Sequence, residues 1–182
     1  KTNKTREAIN DYTMSLQYEP APFMLSRRGW AYLTDVSELA KEDFEEALRL
    51  NPADADSRQG LAYALVMLGD HVRAAAEIEK ADAVARKIAT QVGPEGWPLL
   101  FNPATTYSQA YAKVLFDPKL TTTRREELAQ KYVSRAIDWL TDAHRVAGPQ
   151  FRELFLKELR SDAAFDPIRQ RPEFLEALKS ID

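Results

Sequence analysis

The stretch Ala40-Lys-Glu-Asp-Phe-Glu-Glu-Ala-Leu-Arg-Leu-Asn-Pro52 decides how the chain is read. Small residues at Ala40 and Ala47 flank an aromatic at Phe44 at helical spacing, and Pro52 stops the run, because the residue before a proline is pushed out of the helical region. The same grammar precedes it as Ala8, Tyr12, Ser15 and Pro20, and follows it as Ala74, Ile78 and Ala81. Ala8, Ala40 and Ala74 lie 32 and 34 residues apart, so the chain carries an internal repeat. The physical content of such a repeat is close packing. Small side chains let two helices approach, and one larger side chain fills the gap between them.

Outward from that stretch, one-sided apolar spacing predicts helices over 5–19, 22–34, 37–50, 55–68 and 71–90. Ser37 or Asp35 is the expected N-cap of the third, and Gly69-Asp70 the stop of the fourth. Gln91 to Pro103 is rich in turn formers and reads as a loop, with Trp97 either stacking a ligand or, the favoured reading, plugging the loop onto a helix end. A further hairpin follows, with helices over 105–116 and 122–147; the second repeats the small–large–small spacing at Ala136, Leu140 and Ala143. Gly148-Pro149 ends it. The last segment offers Phe165, Ile168, Phe174 and Leu178 inward and its charges outward, as the cap of a repeat array must.

This register resembles the tetratricopeptide (TPR) repeat, a helix–turn–helix unit of about 34 residues. Ala62, Ala74 and Ala81 fall on the small positions of one unit with Ile78 on the filling position; Gly29, Ala40, Ala47 and Phe44 do so in the unit before it. Leu25 and Arg58 stand where the family signature has tryptophan. The resemblance implies an all-α fold: a TPR-type right-handed superhelix of helical hairpins with a divergent C-terminal hairpin and capping helices. Its divisions are residues 1–90 (a half unit at 5–20 and units at 22–52 and 55–88), a loop at 91–104, the divergent hairpin at 105–147 and the cap at 148–182.

In that family the first helix of each unit lines a concave groove. Mapped here, the groove presents Phe23, Ser26, Arg27, Trp30, Leu33 and Thr34 from one unit, and Asp56, Gln59, Gly60, Tyr63, Val66 and Met67 from the next. Phe23, Arg27, Trp30, Asp56, Gln59, Tyr63 and Met67 are the candidate binding residues. Trp30, Tyr63 and Arg27 are the types that anchor interfaces, although packing against a neighbouring helix is an equal use of Trp30 and Tyr63. Ser26 and Trp30 stand where chaperone-type repeats place lysine and asparagine to clamp a peptide carboxylate, which disfavours that ligand. The implied role is a non-catalytic scaffold that binds protein or peptide.

The last third, with Leu128-Ala-Gln-Lys-Tyr132, Arg135-Ala136 and Phe165-Asp-Pro-Ile-Arg169 before Arg171-Pro172-Glu-Phe174, resembles the ends of long bacterial TPR proteins. Some of those carry a serine/threonine kinase domain upstream, so a regulatory region of such a kinase is the alternative reading. The chain begins at Lys1 rather than Met and is expected to be part of a larger protein. Residues 5–19 form a second-position helix without its partner, so either further repeats precede it, the favoured reading, or that face pairs with another chain and the helix mediates self-association.

Composition closes other routes. A net charge of −3 leaves no electrostatic footprint for nucleic acid, and no run approaches the ~20 apolar residues of a membrane span. With no cysteine and only two histidines, His71 and His144, both at surface-like helix positions, no metal site or other cofactor is expected. The acid pairs Glu45-Glu46 and Glu126-Glu127 read as solvated helix faces. No P-loop, dinucleotide fingerprint, nucleophile elbow or kinase motif occurs, so no catalytic residue is assigned and a cytoplasmic location is expected.

Overall fold

The computed structural model describes residues 3–19, 21–33 and 35–181. Pro20 and Thr34, read above as a helix stop and a groove position, lie outside them. All regular structure among the described residues is helical: α1 (Asn3–Leu16), α2 (Pro22–Tyr32), α3 (Ser37–Leu50), α4 (Ala55–Met67), α5 (His71–Val92), α6 (Pro98–Leu115), α7 (Thr122–Ser161) and α8 (Pro172–Ile181), with short 3₁₀ turns at Pro94–Gly96 and Ala163–Phe165. None of these helices is long and apolar enough to cross a membrane. The chain divides into two compact units between Ala81 and Asp82, inside α5.

In the first unit α1 packs on α2, α2 on α3 and α3 on α4. Ala40, Phe44, Ala47, Ala62, Ala74, Ile78 and Ala81 are all buried, as the close-packing register requires. Gly29 and Gly60 both face Phe44: a Cβ built on Gly60 would lie 2.2 Å from Phe44 Cζ, and one on Gly29 2.9 Å from it. Gly60 is therefore a packing residue, and its register assignment to the groove is corrected. Any side chain there would occupy the space of the ring. Part-buried ion pairs stitch the helices. Arg28 grips Asp43 with two bonds of 2.7 and 2.8 Å and donates a third, of 3.1 Å, to Thr13 Oγ1. Arg58 joins Glu77 at 2.8 Å and the Pro52 carbonyl at 2.6 Å.

The caps follow backbone chemistry. Asp54 receives the Ser57 amide at 3.3 Å at the start of α4. Gly69, at φ 90°, lets the Asp70 amide reach Leu65 O at 2.9 Å and its own reach Val66 O at 3.0 Å, a Schellman closure. At α3 the expected cap is corrected. Val36 occupies that position and provides no side-chain bond, so neither Ser37 nor Asp35 serves.

The second unit is built on aromatic rings. α6 packs along α7, and α8 and the 3₁₀ turns close over them. Trp97 meets Phe101 and Phe155 edge-on at 5.2 and 5.5 Å, and Phe101 meets Phe165 at 5.3 Å. Trp97 is thus buried, in the packing role favoured by the sequence. Phe165, Ile168 and Phe174 are buried too, whereas Leu178 is half-exposed. The expected loop at 91–104 is corrected: from Pro98 onward it is helix, with Pro103 inside α6. Pro98 sits where a missing amide costs nothing, and Leu100, Phe101, Pro103 and Ala104 are buried. That burial outweighs the amide lost at Pro103. α7 breaks at Gly148, whose φ of 57° and ψ of −168° are open essentially to glycine alone.

Candidate functional site

Phe23, Arg27 and Trp30 follow one another at four- and three-residue steps on α2, and Asp56, Tyr63 and Met67 at seven- and four-residue steps on α4. Each set therefore shares a helix face. A polar link brings the two faces together. Asp56 Oδ2 accepts from Ser26 Oγ at 2.8 Å and from Trp30 Nε1 at 3.1 Å. The indole ring also stands edge-on to Phe44 at 5.5 Å. Trp30 and Asp56 thus hold the base of the face, where two donors on one carboxylate oxygen lock both rotamers.

The outer part is different. Phe23 is 63% exposed and Met67 39%. The Arg27 guanidinium lies 5.0 Å from the centroid of the Phe23 ring. Arg27 makes no ion pair among the described residues. Tyr63 is half-buried between these levels. Gln59 is corrected: at 1% exposure it lies inside the packing rather than on the face. Val66 is buried as well.

The bond from Trp30 to Asp56 escapes sequence reading. Both residues fall on groove positions, and a donor–acceptor pair on adjacent units was the available signal. His71 is buried rather than surface-like. His144 is half-buried beside the Phe155 ring at 5.5 Å; burial, then the Arg152 charge, hold its pKa below the ordinary histidine value. Glu45 and Glu46 are tied to Lys41 and Arg49, and Glu127 to Arg124. No cluster of three metal-ligating side chains occurs among the described residues. No family model, curated protein or solved structure matches the chain.

Proposed function

We propose that the chain is a non-catalytic protein–protein interaction module made of TPR-type hairpins, and that the α2/α4 face takes a peptide. The observation that carries this reading is the combination on that face of a rigid base, Trp30 bonded to Asp56, with outward-facing Phe23, Met67 and Arg27. Exposed large apolar groups beside a cation without a carboxylate suit a segment that supplies an apolar side chain and an acid. Trp30 acts as a support rather than an anchor.

Selection from a random peptide display library tests this, followed by fluorescence anisotropy on the peptides recovered. Peptides pairing an acidic with an apolar residue are expected, with binding weakened about tenfold or more by Phe23→Ala and by Arg27→Glu. Both substitutions sit on exposed side chains, so melting temperature should not move. Equal affinity in both variants, or no enrichment, removes this face from consideration.

A further inference from the structure

We propose that a second site, in the cleft formed by α6, the start of α7 and the segment before α8, binds a small organic oxyanion: a carboxylate or phosphate monoester on an apolar body. The cleft has a volume of about 420 Å³, within the usual range for small-ligand sites. One side is apolar, with Tyr111, Leu115 and Ala129. Arg125 and Arg171 line it as well.

The two guanidinium groups are positioned but incompletely matched. Arg125 donates through Nη2 to the carbonyls of Asp117 and Leu120, at 3.1 and 3.2 Å, which fixes its plane against the loop. It has no carboxylate partner among the described residues. Arg171 gives Nη2 to Glu173 Oε1 at 2.9 Å and rests against the Tyr111 ring at 5.7 Å. The Nε–H groups of both arginines are shielded from water without an acceptor among the described residues. Of the two cations facing the cleft, Arg171 is paired with one carboxylate, Glu173, and Arg125 with none among the described residues. A planar oxyanion is the group whose geometry and charge a guanidinium fork matches.

Glu126 is the one opposing charge in the lining, and it is exposed to solvent. Its field is damped by water, while the buried Nε–H groups of Arg125 and Arg171 still lack an acceptor among the described residues. The balance favours an anion, and the Tyr111, Leu115 and Ala129 surface favours an apolar body attached to it. The cleft belongs wholly to the second unit, so this inference stands apart from the peptide face on α2 and α4.

An NMR titration of the whole chain with phenylacetate, phenyl phosphate and benzylamine decides the matter. Saturable shifts at Tyr111, Ala129 and Arg171 are expected with one or both anions, at about millimolar affinity for probes of this size, and none with benzylamine. Arg125→Gln should weaken anion binding about tenfold. That change also removes the bonds to the loop carbonyls, so the exposed Glu126→Gln is the companion: it should tighten anion binding a few-fold without touching the fold. Which anion binds distinguishes carboxylate from phosphate. Absence of saturation with both anions, equal binding of benzylamine, or affinities unmoved by either substitution overturns the assignment.

Discussion

Between residues 3 and 81 two glycines, Gly29 and Gly60, make room for one phenyl ring, Phe44, in a core otherwise of alanine and aliphatic side chains; between 82 and 181 Trp97, Phe101, Phe155 and Phe165 pack edge to face, and arginines lie against other rings. Arg86 stands 4.2 Å from the centroid of the Trp139 ring while pairing with Asp82 and Asp142, and Arg135 lies 5.8 Å from Tyr107 while reaching Asp82 at 2.9 Å. The difference lies in how tolerance is distributed. A core of small residues around one large one concentrates its steric demand on the large residue. A network of rings spreads that demand over many neighbours.

The largest effect should therefore come at Phe44. Phe44→Ala removes a fully buried ring and is expected to cost about 3–5 kcal/mol by chemical denaturation. Gly60→Ala should cost about 1–3 kcal/mol, because its Cβ would enter the Phe44 ring. The informative measurement is the pair. In a Phe44→Leu background the penalty of Gly60→Ala should fall by more than half, a coupling expected only of side chains in contact. Additive penalties would show that Gly60 is needed for something other than room for the ring.

The same contrast accounts for what was legible in the sequence. Ala40, Phe44, Ala47, Ala62, Ala74, Ile78 and Ala81 are readable because close packing forces small and large residues into fixed register, and all are buried. Aromatic packing imposes no such period. Nothing in the spacing of Trp97, Phe101, Phe155 and Phe165 says that they meet, and the prolines among them read as a loop although burial draws 98–104 into helix. The candidate face was partly legible for a related reason. Helical spacing puts Phe23, Arg27 and Met67 at positions that are exposed, but it cannot separate Gln59 or Gly60, which turn inward, from Tyr63, since residues three and four apart lie within about 60° of one another around a helix. The Ser26–Asp56–Trp30 link lies beyond periodicity altogether, because it depends on three-dimensional proximity between residues 26 to 30 positions apart.

A glycine in the second unit sharpens the comparison at a smaller scale. Around Gly148 nothing stands within 4 Å of where a Cβ would be, so volume is no obstacle there. Its dihedral angles are the obstacle, and Gly148→Ala should cost about 1–3 kcal/mol through backbone strain. Unlike the penalty at Gly60, this one should be indifferent to any change in neighbouring ring size. A double substitution with Phe155→Leu, read by the same denaturation measurement, should be additive to within about 0.5 kcal/mol. Strong coupling would mean that the break in α7 is set by ring packing rather than by the glycine.

The smallest expected effect is electrostatic, and it is where the ring-based unit differs from the other in its response to pH. Burial and the nearby charge of Arg152 lower the pKa of His144, so the folded protein resists protonating a group that the unfolded chain protonates readily. Stability is then full above the ordinary histidine value of ~6.5 and declines as pH falls from there toward the depressed folded value. In Glu77, of the first unit, burial pushes the carboxyl up, but Lys80 and Arg58 outweigh it and the net shift is downward. Its contribution is lost only in the acid range, as pH falls below the ordinary carboxylate value. Melting temperature followed from neutral pH to mild acid should therefore fall gently in the unchanged protein, and His144→Gln should flatten that slope. Glu77→Gln should leave the slope in place while lowering the whole curve, because Arg58 loses its carboxylate. A slope that survives His144→Gln would assign the mild-acid sensitivity to a group outside the aromatic core.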